Sequence, residues 1–167
     1  TSRRRLYLHA MITLRRWAAL LAFVGMCLSG CVDAPSNSYF AVAGRTDVAT
    51  GGVRMIEISI PGGKTHVWTK RVGNNPSIKV LLLHGGPAGT HEYFEAMDSY
   101  FPAAGIEYYY YDQAGSAYSE PVADPTVLFP IDRFVEEVEQ VRAALGLGPD
   151  NFYLLGHSWG GILAIEY

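Results

Sequence analysis

Residues 151–167 read NFYLLGHSWGGILAIEY. The apolar run Phe152 to Leu155 has the length of a buried strand, and Ile162 to Tyr167 has a helical character. Between them Gly156, Ser158 and Gly160 form G-x-S-x-G in the strand, turn and helix setting that the motif requires. A turn this sharp forces its central residue into a strained backbone, so positions 156 and 160 must be small for strand and helix to approach each other. The Ser158 hydroxyl then projects above the carboxyl ends of the strands, where open α/β sheets carry their sites. Ser158 is therefore the candidate nucleophile, with an ordinary turn as the competing reading.

Upstream, two more short apolar runs, Val80 to Leu83 and Tyr108 to Tyr111, suit strands buried on both faces of a parallel sheet. The four tyrosines of the second run fit a structural strand better than a stacking platform, because tyrosine favours strands and the run ends at a turn. Before them, Val53 to Ile60 alternates with Arg54, Ile56, Ile58 and Ile60 on one face. Pro61-Gly62-Gly63 and a second extended run, His66 to Val72, complete a β-hairpin. Tyr93, Phe94, Met97 and Phe101 fall at near-helical spacing and stop at Pro102. Ile131, Phe134, Val135, Val138, Val141 and Leu145 form a clearer helical stripe, with Asp132 and Glu136 early and Gly146, Gly148 and Pro149 at its end. The order of hairpin, strand, helix, strand, helix, strand and helix start predicts an α/β fold with right-handed crossovers.

Two further segments follow strand ends. His84-Gly85-Gly86-Pro87 is a glycine-rich strand end whose backbone N–H groups can approach a reacting carbonyl and hold a tetrahedral oxyanion, with the N–H of Trp159 as a second donor. Asp112-Gln113-Ala114-Gly115-Ser116 follows the tyrosine run. Asp112 precedes Ser158, whereas triads of this fold run Ser, Asp or Glu, His along the chain, so a structural role is expected for it. Together the HGGP segment with His91-Glu92-Tyr93, the DQ-x-G-S segment and GHSWGG resemble the proline iminopeptidase family of α/β-hydrolases over about residues 51–167. The resemblance implies a serine aminopeptidase that releases an N-terminal residue, typically proline. By position it makes Ser158 the nucleophile and the N–H groups of Gly86 and Trp159 the oxyanion donors, and it gives His84, Gly85, Pro87, Gly156 and Gly160 structural parts at the site. Two departures stand out. Ala88 replaces a glycine after the proline, and Ala114 and Ala117 replace the arginine and second glycine of DQRGxG.

The 167 residues carry 13 Lys and Arg against 16 Asp and Glu. Five of those arginines, at positions 3, 4, 5, 15 and 16, lie in residues 1–30, which contain no acid. The remaining chain is therefore strongly acidic, and nucleic acid is not an expected partner. From Met11 a basic stretch, the uncharged run Trp17 to Leu28 and small residues follow in the order of a secretory signal, and the apolar run is shorter than the ~20 residues a membrane-spanning helix needs. Leu28-Ser29-Gly30-Cys31 resembles the bacterial lipoprotein signal, in which Cys31 becomes the lipidated first residue. The resemblance implies an exported chain held to a bacterial membrane through that lipid. Residues 1–10 are expected to be translated upstream sequence, 11–31 the signal, 32–50 a tether and 51–167 the N-terminal part of the hydrolase domain. Both cysteines, Cys27 and Cys31, fall in the front region, so no disulfide is expected in the body. The five histidines are scattered, and neither a metal nor another cofactor is expected.

A serine hydroxyl needs a base, and the base an orienting carboxylate. Nine residues follow Ser158, too few for the later strands, helical cap, Asp and His of this architecture. The chain is thus expected to be an N-terminal, inactive fragment of an enzyme acting on a peptide or a small amide or ester. An esterase, and a non-catalytic surface lipoprotein, are the alternatives. No residue pattern sets an oligomeric state.

Overall fold

The computed structural model describes residues 39–42 and 44–167, all within the second of two compact units, Ser36–Tyr167. The signal, Cys31 and the first part of the stretch expected as a tether lie outside the described residues. From Tyr39 onward that stretch is fastened to the domain. The Tyr39 hydroxyl donates to the Ile106 carbonyl at 3.0 Å. Asp47 accepts from Arg45 at 3.2 Å and from Arg71 at 2.7 Å, and the two guanidinium groups hold its carboxyl below the usual range against the opposing effect of burial.

Five strands form one sheet in the order β1-β2-β4-β3-β5. β1 (Val53–Ile60) and β2 (Gly63–Val72) make the expected antiparallel hairpin, Ile56 opposite Val67 and Ile58 opposite Thr65. Its two-residue turn, Pro61-Gly62, places Gly62 at φ +89°, a conformation that glycine adopts without penalty. β2 also pairs antiparallel with β4 (Glu107–Tyr111), and from there the sheet is parallel through β3 (Lys79–Leu83) to β5 (Phe152–Gly156).

The solid apolar runs have a physical cause. Side chains alternate across a strand, so Leu81, Leu83, Tyr109 and Tyr111 enter the core on one face of the sheet, while Val80, Leu82, Tyr108 and Tyr110 enter the core on the other. All four tyrosines are at most 3% exposed, which fits the structural reading of that run. Each hydroxyl donates to a carboxylate: Tyr108 and Tyr110 to Asp98, Tyr109 to Glu107 and Tyr111 to Glu137. Burial of each ring is worth about 2 kcal/mol, and the carboxylates relieve the desolvation of the hydroxyls. β5 differs. It is an edge strand among the described residues, at the opposite side of the sheet from β1; its side chains are half-buried and Tyr153 is exposed.

The helix α1 (Ile131–Ala144) lies on the first of these faces, burying Phe134, Val138 and Val141 one turn apart. It stops in a Schellman motif at Gly146, φ +67°, where the Gly146 N–H reaches the Ala143 carbonyl and the Leu147 N–H that of Arg142, both at 3.1 Å. The connection between β3 and β4 is helical, as its spacing suggests. Residues Glu92–Ser99 form a 3-10 helix rather than an α-helix. The Phe94 and Tyr100 N–H groups bond three residues back. Asp98 is pulled toward the hydroxyls of Tyr108 and Tyr110, and Pro102 has no N–H with which to extend the ladder. A further short 3-10 turn, Pro125–Leu128, starts at Asp124, which accepts from the Thr126 N–H at 2.9 Å. The last helix, α2 (Trp159–Glu166), begins three residues earlier than the apolar pattern suggests, directly after Ser158.

Candidate active site

β3, β4 and β5 are parallel neighbours, so their carboxyl ends lie along one edge of the sheet. The segments that follow them are His84-Gly85-Gly86-Pro87 after β3, Asp112 to Ser119 after β4 and the Ser158 turn after β5. All of the segments singled out in the sequence therefore converge.

Ser158 sits at φ +55° and ψ −120°, a region that non-glycine residues enter at a cost of about 1–3 kcal/mol. The turn is locked on both sides. The His157 N–H donates to the Leu83 carbonyl at 3.1 Å, and the Gly161 N–H donates to the Ser158 carbonyl at 3.0 Å. The required smallness of Gly156 and Gly160 is explicit: a Cβ on Gly156 would lie 2.1 Å from the Gly160 oxygen, and one on Gly160 would lie 2.0 Å from the Leu83 oxygen. Ser158 is exposed, and its hydroxyl has no hydrogen-bond partner among the described residues.

The loop after β3 runs against this turn. A Cβ built on Gly85 would lie 3.2 Å from that of Ser158. The Gly85 N–H is occupied, donating to the Tyr93 hydroxyl at 2.5 Å, and burial pushes that phenol above its ordinary pKa. The Gly86 N–H, next along, has no partner among the described residues. Neither has the N–H of Trp159, the first residue of α2, where no intrahelical acceptor exists. Two N–H donors without partners among the described residues therefore lie in the segments that meet at the exposed Ser158. Gly86 has φ +124° and its peptide bond to Pro87 is cis.

Each histidine among the described residues has a contact of its own. His84 is fully buried, its Nδ1 donating to the Gly85 carbonyl at 2.8 Å while its Nε2 accepts from the Gln113 N–H at 2.9 Å. Burial holds its imidazole below the ordinary pKa, so it is neutral at pH 7. His91 Nδ1 lies 2.8 Å from Asp112 Oδ1, and its ring stacks on Trp68. His66 lies 2.9 Å from Glu120, and the His157 ring meets Tyr93 edge-on. Asp112 is fully buried and also accepts from the N–H groups of His91 and Tyr118, in line with a structural role.

Three supports of the site were given no role by the sequence, although Gln113 and Tyr93 lie within the segments singled out in it. Gln113 lies between His84 and Trp159. The Tyr93 hydroxyl holds Gly85. Glu137, buried on α1, accepts from the Ala114 N–H at 2.8 Å and pairs with Arg133 one turn back. A signal for the last existed: charged residues at 133 and 137 abut the apolar positions Phe134 and Val138, which marks a paired, buried charge. A cavity of about 440 Å³ lies elsewhere, under the hairpin turn between Lys64 and Val122, and contains none of these groups.

The alpha/beta hydrolase fold family matches residues 79–167 by its sequence profile, more than half of the chain and all three converging segments. The chain belongs to the α/β-hydrolase fold family. Within it, the chain is 60% identical over 113 residues to a proline iminopeptidase of Flavobacterium johnsoniae, a match covering 68% of this chain and 38% of that protein. The solved proline iminopeptidase of Mycobacterium smegmatis superposes with a TM-score of 0.57 at 28% identity, covering 68% of this chain and 38% of the other. An esterase of Exiguobacterium antarcticum gives a TM-score of 0.56 at 26% identity over 68% and 39%. The chain thus spans less than two-fifths of the length of these relatives.

The two departures from DQRGxG and HGGPG acquire a structural meaning within this α/β-hydrolase. Ala88 has φ +68° and Ala117 has φ +42°, the left-handed region that favours glycine, and both are exposed. Left-handed backbone costs an alanine about 1–2 kcal/mol, partly offset by the chain entropy a glycine would lose. Ala88→Gly and Ala117→Gly are each expected to stabilise the fold by about 0.5–1 kcal/mol, read as a rise of about 2–5 °C in Tm by circular dichroism. A lower Tm in both would contradict this backbone.

Proposed function

We propose that this chain carries the nucleophile and oxyanion donors of a serine aminopeptidase that releases N-terminal residues, typically proline, from peptides. The observation that carries the reading is the pair of unpaired N–H groups, Gly86 and Trp159, beside the exposed Ser158 hydroxyl. Ser158 Oγ attacks the scissile carbonyl, and the oxygen that becomes negative is held by both N–H groups. Collapse of the intermediate expels the amine and leaves an ester on Ser158, which water then hydrolyses. His84 cannot take the serine proton, because both of its ring nitrogens are engaged. The base and its carboxylate are assigned to parts of the fold outside residues 39–167, and the greater length of the relatives supports this.

The experiment is a chimera in which the matching segment of the Flavobacterium johnsoniae relative is replaced by that of this chain. The chimera is expected to turn over proline p-nitroanilide, while the 167-residue chain alone does not. The structural match to an esterase favours a second reading. If the chimera cleaves p-nitrophenyl acetate and leaves proline p-nitroanilide intact, the esterase reading replaces the first; inertness toward both favours a non-catalytic role.

The exported, lipid-anchored state is part of the same proposal and is supported by the signal-like order of residues 11–31. Radiolabelled palmitate is expected to enter the wild-type chain and not Cys31→Ala. Equal labelling of the two would remove the anchor.

A further inference from the structure

We propose that Gln113 is a positioning residue that sets the relative placement of the two oxyanion donors. It rests on the reading of Gly86 and Trp159 given above. Those donors belong to separate segments, one after β3 and one at the start of α2, and the hole works only if both N–H groups aim at one point. Gln113 is 1% exposed and its side-chain amide lies between the two segments. Its Nε2 donates to the His84 carbonyl at 3.0 Å, two residues before Gly86. Its Oε1 accepts from the indole Nε1–H of Trp159 at 3.3 Å. A carbonyl can only accept and an indole N–H can only donate, so the two contacts admit a single orientation of the amide.

The residue is itself held. Its N–H donates to His84 Nε2 at 2.9 Å, and its carbonyl accepts from the Ser116 hydroxyl at 2.6 Å. Next along, the Ala114 N–H donates to the buried carboxylate of Glu137. The brace is therefore anchored to the His84 ring, to its own turn through Ser116 and, through Ala114, to Glu137 on α1, an element that carries neither donor. Neither an apolar residue nor a carboxylate reproduces both contacts. Methionine has similar length but offers no hydrogen bond of comparable strength, and a glutamate keeps an acceptor for the indole while presenting no donor to the His84 carbonyl.

The test needs no turnover. The full 167-residue chain, labelled with nitrogen-15, is compared with Gln113→Met and Gln113→Glu by NMR. The Trp159 indole signal is identified among the three tryptophans through Trp159→Phe. Gln113→Met is expected to speed exchange of the Trp159 indole N–H about tenfold, the factor that follows from loss of one hydrogen bond of ordinary net strength. It is also expected to shift the backbone amide signals of Gly86 and Trp159 together. Gln113→Glu is expected to retain indole protection and to shift Gly86 alone. If both variants leave the Gly86 and Trp159 amides in place, or if Gln113→Met moves only its immediate neighbours in sequence, the proposal is overturned. Should Gln113→Met not fold, the selective pattern in Gln113→Glu decides. An inactive chimera would instead count against the assignment of Ser158, and would leave this coupling measurable.

Discussion

Ser158→Ala is expected to abolish turnover of proline p-nitroanilide by the chimera, with kcat falling by at least about ten-thousand-fold and by up to about a million-fold. The size of the effect follows from what the site retains. Gly86 and Trp159 would still stabilise charge on a carbonyl oxygen, so some acceleration over water survives. The proposed covalent route would be lost, because the reading assigns the attack to the exposed Ser158 hydroxyl. The variant should also fold at least as well as the parent in its packing, since the hydroxyl makes no hydrogen bond among the described residues. The strain at φ +55° remains in alanine. Wild-type-like turnover in Ser158→Ala would place the nucleophile elsewhere and remove the reading of this site.

Gly160→Ala is expected to destabilise the fold by about 3 kcal/mol or more, a loss of about 10 °C in Tm, whereas the neighbouring Gly161→Ala is expected to be neutral or slightly stabilising. The contrast is geometric. A Cβ at 160 would lie 2.0 Å from the Leu83 oxygen and 2.8 Å from that of His84. Both are backbone atoms at the end of β3, so no rotamer change relieves the contact. Either α2 lifts off the sheet or the loop that carries Gly86 is displaced. A Cβ at 161 finds only an ordinary contact, 3.6 Å from the Gly156 oxygen, and alanine is the better helix former. Urea or thermal unfolding of the two variants measures the difference. Equal stabilities would show that strand and helix do not approach as closely as described.

Much of this arrangement is legible in local patterns, because local patterns report the two periodicities of regular structure. Val53–Ile60 alternates because one face of the hairpin is covered. Lys79–Leu83 and Glu107–Tyr111 do not alternate, because both faces of those strands are covered. Phe134, Val138 and Val141 give α1 away, and Gly146 marks its stop. The connection at Glu92–Ser99 was less legible. Its spacing fits a helix of either kind, and the choice of 3-10 follows from where Asp98 meets two tyrosines that lie ten and twelve residues later. Gln113 and Glu137 were not legible as site supports. A buried amide or carboxylate has no periodic signature, and its partners, His84, Trp159 and Ala114, are far from it in the chain.

By itself the sequence determined the kinds of element and the chemistry at their ends: a strained serine between two obligatory glycines, a glycine-rich loop after a buried strand, and an aspartate-glutamine turn after another. These depend on backbone conformation and side-chain type within a few residues, which short-range order specifies. Only the tertiary structure decided that β3 lies between β4 and β5, and hence that the three loops meet. Strand order arises from which faces can be buried together and how the crossovers wrap, a property of the whole sheet. The same packing leaves the Gly86 and Trp159 N–H groups without partners among the described residues, and places one buried amide between the segments that carry them.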